Sequence, residues 1–348
     1  MNSVPDTASF LPVNVVTGFL GSGKTTLLQR LLRAPALRDT AVLVNEFGEV
    51  GLDHHLLRRL DDDVVLLQSG CLCCTIRGDL SAALRDLHSR RERGEVAFSR
   101  VVVETTGLAD PVPILATVMA EPVIRHHFRL GNVIATVDAV NGEAQLDRYA
   151  ESLKQAAVAD RIVITKNDLA ASNLVESLRQ RLGRLNPGAR VIETAPRVPL
   201  DAEELLTRDL YDLDTKREEI RAWLAAEMQI SDRRAEAHDH DDVNRHDADI
   251  HAFCLAFAQP LDWTAFGIWL TMLLHSRGND VLRVKGMLNV GEGAGPVVIH
   301  GVQHLVHPPE HLPDWPDDDR RSRIVFIVRG IARESVERSL AAFSRLAG

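Results

Sequence analysis

Two short stretches concentrate the chemistry of this 348-residue chain. The first is Gly18-Phe19-Leu20-Gly21-Ser22-Gly23-Lys24-Thr25, which fits the G-x-x-x-x-G-K-[ST] pattern. Glycines at these points let successive backbone N–H groups turn inward and form a concave anion site. A helix starting there adds the positive end of its dipole. Lys24 is then expected to reach the β- and γ-phosphates of a nucleotide, with the Thr25 hydroxyl on magnesium. The second stretch is Gly70-Cys71-Leu72-Cys73-Cys74-Thr75. Thiolates so crowded favour a borderline-soft ion such as zinc or copper(I) over magnesium. A closed zinc site wants four protein ligands, usually as two separated pairs, and the remaining thiol, Cys254, sits alone in an apolar run. The cluster is therefore short of ligands, and an exchangeable position follows. Asn45–Glu49 or a partner protein can complete it; a redox or structural cluster is the other reading.

Other residues gather around the first stretch. Thr165-Lys166-Asn167-Asp168 follows an apolar run, at a strand end where α/β sheets bind ligands. A carboxylate at Asp168 can accept the ring and exocyclic N–H groups of guanine, with the Lys166 stem over the base. A related guanine-reading pattern has Asn where Thr165 stands, and a capped, solvated loop is the alternative. Val101-Val102-Val103-Glu104 ends a buried strand on an acid, as a second magnesium-side carboxylate requires, and Gly107 can meet the γ-phosphate through its N–H.

The elements that must position these residues are legible as continuous apolar runs interleaved with helix-length segments. The runs are 13–17, 41–44, 64–67, 100–103, 133–137, 161–165 and 191–192, with helices expected at 80–91, 113–125 and 174–185. Continuous rather than alternating strands indicate a mainly parallel sheet buried on both faces. The fold class is thus α/β over 1–215, a P-loop nucleotide-binding domain. A charged helix and a polar His/Asp-rich linker follow over 216–250; His238, His240 and His246 in it and His251 beside it could collect zinc or nickel weakly, a solvated connector being the alternative. Strands at 251–257, 281–290, 297–306 and 324–328, with helices at 263–275 and 334–346, make 251–348 a smaller α+β domain of ferredoxin-like type. Phe266, Trp269, Met272 and Leu273 at helical spacing are expected in its core, and His304, His307 and His311 are candidate metal or partner contacts.

Composition narrows the class. A net charge of −9 argues against a general nucleic-acid binder, and no apolar run reaches the roughly 18 residues of a membrane span. Met1–Phe10 has no basic residue and does not read as a secretory signal. Four cysteines cannot form a disulfide framework in a chain this long, so reduced thiols and a cytoplasmic location are expected.

The segments Gly18–Thr26, Asn45–Asp53, Gly70–Thr75, Glu104–Pro111, Thr165–Asp168, Arg283–Leu288 and Gly301–His304 together resemble the CobW-like family of metal-associated GTPases. That resemblance implies a slow GTPase that acts as a metallochaperone, most often for zinc and sometimes in cobalt-dependent pathways. It assigns phosphates to Gly21–Thr26, guanine to Lys166 and Asp168, and metal to Cys71, Cys73 and Cys74, with Glu49 as a further metal candidate. GTP, GDP, Mg2+ and Zn2+ are the expected ligands, and a client metalloprotein or a second copy of the chain the expected partner. A passive metal-storage or sensing protein, and a P-loop ATPase or kinase with an incidental thiol cluster, are the rival readings.

Overall fold

The computed structural model describes residues 10–44, 65–68, 76–196, 198–207, 250–291 and 295–347. The chain divides into two units, Met1–Arg179 with Val191–Lys216, and Gln180–Arg190 with Arg217–Gly348. The Cys71–Cys74 cluster, Glu49, the helix expected at 216–228 and the His238–His246 segment lie outside the described residues.

β-branched runs with apolar side chains on both faces can be satisfied only by cover on both sides, and the first sheet is built that way. Its strands are β1 (Leu11–Gly18), β2 (Thr40–Val44), β3 (Val65–Gln68), β4 (Arg100–Glu104), β5 (Phe128–Asp138), β6 (Arg161–Thr165) and β7 (Arg190–Glu193), in the order β3-β2-β4-β1-β5-β6-β7. The pairings from β3 across to β6 are parallel. The helices are α1 (Lys24–Leu32), α2 (Ile76–Glu92), α3 (Val112–Ala120), α4 (Gly142–Arg148), α5 (Ala150–Val158), α6 (Ser172–Leu185) and α7 (Ala202–Leu206). Leu27, Leu28, Leu31 and Leu32 bury one stripe of α1 against Val16, Val42, Val102, Ile134 and Val163 of the strands. Register brings the strand ends to one edge: Val16 and Val44 both pair with Glu104, Gly18 with Thr136, and Asp138 with Thr165.

One expected helix is shorter than its pattern. The 113–125 segment is helical only to Ala120, because Pro122 has no N–H to continue the ladder and disfavours helical backbone before it.

The second unit holds β8 (Ile250–Phe257), α8 (Trp263–Arg277), β9 (Val281–Leu288), β10 (Val297–Val302), β11 (Leu305–Val306), β12 (Glu310–His311), β13 (Ser322–Arg329) and α9 (Arg333–Ala347). The strand order is β11-β10-β9-β13-β8, with antiparallel pairs throughout and β12 also on β10. β8, α8 and β9 form a split β-α-β unit with β13 between the two strands, the device expected of a ferredoxin-like α+β domain. The 297–306 run is not one strand. Gln303 takes a left-handed conformation (φ 51°), and the chain folds back so that Leu305 and Val306 pair with Val302 and Gly301.

Both helices cover one sheet face, where Phe253, Phe266, Trp269, Leu274, Val284, Phe326, Val336 and Leu340 pack together. Met272 does not join them and is 55% exposed. The Trp269 indole donates to Ser339 Oγ at 2.7 Å, which joins α8 to α9 with its polar atom satisfied. His304 is spoken for structurally, its two ring nitrogens bonding Leu274 O and Asn279 Oδ1. Among the described residues no helix is long and apolar enough to cross a membrane.

Phe326 is fully buried, stacked on Phe253 with Trp269 at its edge. Phe326→Ala is expected to destabilise this unit by about 3–5 kcal/mol. Urea unfolding followed by tryptophan fluorescence measures it, and a loss below about 1 kcal/mol would contradict the packing described.

Candidate functional site

The turn between β1 and α1 is held from three sides by hydroxyl groups. Ser22 Oγ and Thr136 Oγ1 lie 2.6 Å apart, Thr165 Oγ1 donates to Ser22 O at 2.7 Å, and Thr105 Oγ1 donates to Thr17 Oγ1 at 2.9 Å. These bonds reach the turn from β5, from the end of β6 and from just past β4. Gly18 (φ 142°) is required here, since a Cβ would overlap Thr136 and stand 2.8 Å from the Ser22 hydroxyl. Backbone so close to its neighbours leaves little freedom for the turn to change shape.

Lys24 is buried at the start of α1, and its ammonium donates to Gly18 O at 2.9 Å and Phe19 O at 3.1 Å. It therefore arches over the loop it belongs to. Thr25 Oγ1 donates to Glu104 Oε1 at 2.6 Å, so the hydroxyl and the carboxylate expected to share a magnesium ion do face each other. Hard oxygen donors of this kind fit Mg2+, which prefers carboxylate, hydroxyl and phosphate oxygen over nitrogen or sulfur. Gly21 is exposed on the turn and Thr26 on the first turn of α1, with Ser22 buried and Gly23 half-buried between them.

Beyond β4 the chain passes directly over the tip of the turn. Gly107 lies so near Leu20 that a Cβ would come within 2.7 Å of the Leu20 backbone. Two large apolar side chains, Leu20 and Leu108, remain more than half exposed on this side.

At the end of β6, Lys166 adopts the left-handed conformation (φ 59°), which is uncommon for a residue with a long side chain. Its ammonium donates to Asp138 Oδ2 at 2.6 Å. Asp138, 2% exposed, ends β5 and also accepts the Val140 and Asn141 backbone N–H groups and the Asn141 side chain. Burial alone would push this carboxyl up, but the bonds from Lys166, Asn141 and the Val140 N–H outweigh it and hold it below the usual carboxylate range. Asp168 stands exposed in the one-turn helix Asn167–Leu169, whose N-cap position, Lys166, makes no side-chain cap bond.

The structure thus brings Lys24, Thr25 and Glu104 together. Thr165 leads into Lys166 and Asp168 at the end of β6, two strands from β1, with its hydroxyl bonded to the loop. Asp138 was not among the residues singled out from sequence, although a carboxylate closing an apolar strand, as Glu104 does, is the signal it shares. Among the described residues no group of three or more His, Cys, Asp or Glu is placed to hold a metal ion.

Two family models match. Residues 12–193 match "CobW/HypB/UreG, nucleotide-binding domain", and residues 250–344 match the cobalamin synthesis protein cobW C-terminal domain. The zinc chaperone YjiA of Escherichia coli is 32% identical over 331 residues, covering 95% of this chain and 98% of the relative. The zinc-regulated GTPase metalloprotein activator 1 of Schizosaccharomyces pombe is 28% identical, covering 93% and 84%. The crystal structure of the Zn(II)-bound YjiA GTPase from E. coli superposes with a TM-score of 0.71 at 28% identity, covering 96% of this chain and 99% of that one.

Because the folded Asp138 carboxyl is depressed, its contribution to stability is present above the ordinary carboxylate pKa and lost as pH falls through the folded value. Asp138→Asn is accordingly expected to be less stable than the wild type at pH 7, with the gap closing in more acidic buffer. Thermal melts across pH 2–7 check this, and a gap independent of pH would contradict it.

Proposed function

The chain belongs to the CobW/HypB/UreG family of nucleotide-binding proteins, and from that premise we propose that it is a GTPase that carries zinc to a client metalloprotein. The observation that carries the reading is the Thr25–Glu104 hydrogen bond beside the Lys24 loop: a magnesium-type oxygen pair at the mouth of an anion nest. The nucleotide-binding part is taken as 1–215, the connecting helix and polar linker as 216–250, and the C-terminal part as 251–348.

In this reading GTP and water become GDP and inorganic phosphate. The N–H groups of Gly21–Thr26 receive the phosphates, and the α1 dipole adds to their pull. Lys24 exchanges its two carbonyl partners for β- and γ-phosphate oxygens and neutralises charge that develops as the terminal phosphoryl group leaves. Magnesium, when bound, screens the phosphate charge; Thr25 and Glu104 would hold it. Gly107 offers its N–H toward the terminal phosphate. Lys166 lies along the base and Asp168 accepts guanine N–H groups, which adenine does not present in that pattern.

Zinc is the cargo. Cys71, Cys73 and Cys74 are the proposed donors, with Glu49 as a fourth, and thiolates of this kind belong in a reducing compartment such as the cytoplasm. In sequence the thiols lie between β2 and β4, both of which end at the nucleotide edge. Order imposed by GTP and released on hydrolysis would thereby change how tightly zinc is held. Linkage then requires that zinc change nucleotide affinity by the same factor.

Lys24→Ala is expected to lower GTP turnover by about 100-fold or more, measured as phosphate release. Preferred hydrolysis of ATP by the wild type would instead support the kinase or ATPase reading. Zinc affinity, titrated with a competing chelator, is expected to differ about tenfold between the GTP-analogue and GDP forms. Equal affinity in both, or uptake unchanged when all three thiols are replaced by serine, would overturn the delivery mechanism.

A further inference from the structure

Gln155 lies on α5, forty-eight positions after Gly107 in sequence, and only 1% of it is exposed. Its amide nitrogen donates to Gly107 O at 3.3 Å and to Ala109 O at 3.0 Å. Both partners are carbonyls, so only the NH2 end can face them, and the two donors are used on one loop. Among the described residues Gln155 Oε1, at the other end of the amide, has no hydrogen-bond partner. A buried unpaired acceptor is expensive, and a side chain serving packing alone would be better replaced by an apolar one. The donors of this buried amide are both spent on the 107–109 loop.

Neighbouring residues of the same short helix act on the same segments. Lys154 Nζ pairs with Asp110 Oδ2 at 3.0 Å, one residue beyond Ala109. Tyr149, at the N-terminal boundary of α5, stacks on Phe19 of the phosphate loop with ring centroids 4.5 Å apart. Between these contacts lies the close approach of Gly107 to Leu20. Residues 107–110 and the tip of the turn are thus fastened to one piece of secondary structure, and Gln155 supplies the buried fastening.

We propose that Gln155 is a positioning residue for the third phosphate: by holding the Gly107 and Ala109 carbonyls it fixes the height of the Gly107 backbone above the loop, and so sets the preference for GTP over GDP. The inference rests on the GTPase reading and deepens it. Gln155 touches no nucleotide atom; it acts through Gly107. Free of the clamp, the loop samples positions in which its N–H misses the terminal phosphate, whereas the α- and β-phosphates are still received by Gly21–Thr26.

The test uses the purified full chain with Mg2+ and compares the dissociation constants of GDP and of a non-hydrolysable GTP analogue. Gln155→Leu keeps the volume and removes both donors. It is expected to weaken the GTP analogue about tenfold, as the loss of a buried hydrogen-bonding group implies, with GDP affinity changed less than about twofold. A parallel loss for both nucleotides would show a purely structural role and overturn the proposal, as would no change in either. Should Gln155→Leu fail to fold, Lys154→Met removes only the outer fastening on the same loop. It has to shift the same ratio in the same direction by about two- to threefold, as a partly exposed charged hydrogen bond allows; an unchanged ratio overturns the proposal. Failure of the wild type to bind either guanine nucleotide would instead sink the GTPase reading itself.

Discussion

The site depends on how tightly the β1–α1 turn is tied to strand ends by hydroxyl groups. Ser22, Thr136, Thr165, Thr105 and Thr17 are all buried, and each short bond among them satisfies a group that would otherwise be costly inside the protein. Because β4, β5 and β6 end at the same edge as β1, three further segments reach the turn that β1 leads into. The parallel sheet supplies this convergence, since every strand points its carboxyl end the same way. Glu104, Asp138 and Thr165 owe their placement to that geometry. A one-residue change in register would turn each to the opposite face.

Much of this was legible in the sequence because its signals are local. The glycine spacing of residues 18–25, the apolar runs and the leucine stripe of α1 each sit within a few positions, and the parallel sheet follows from continuous rather than alternating strands. Glu104 was identifiable for the same reason, as an acid closing a buried run. What sequence did not reveal depends on distant partners. Lys166 and Asp138 lie twenty-eight positions apart and meet because β5 and β6 are neighbours. Gln155 looks like an ordinary polar residue of a short helix until its bonds to the Gly107 and Ala109 carbonyls are seen. The break in the 297–306 run has another cause: apolar patterning on both sides hid a left-handed Gln303. Met272 illustrates the limit of helical spacing, since an i, i+3 pattern names a stripe without saying where the stripe ends.

The second unit divides its polarity between two sheet faces. The face under α8 and α9 is built from aromatic and aliphatic side chains, and the opposite one carries Arg283, Lys285, His300 and Arg323 among Met287, Val298 and Val325. Arg323, almost fully buried, is bonded to Asp317 through two contacts, and burying such a charge is tolerable only with that compensation. Alternation along β9 and β13 accounts for the difference, with successive residues serving opposite sides. Two neighbouring positions in one strand therefore meet unlike demands.

The posture of Lys24 has a bearing on what the turn ignores. An ammonium has three N–H donors, and with two of them on the Gly18 and Phe19 carbonyls it is held over the turn before any anion arrives. A lone chloride has no second atom with which to span the backbone N–H groups and the lysine together. A chain of linked phosphates can engage both at once. The turn is thereby matched to an extended anion rather than to a point charge, by where its own lysine is tethered.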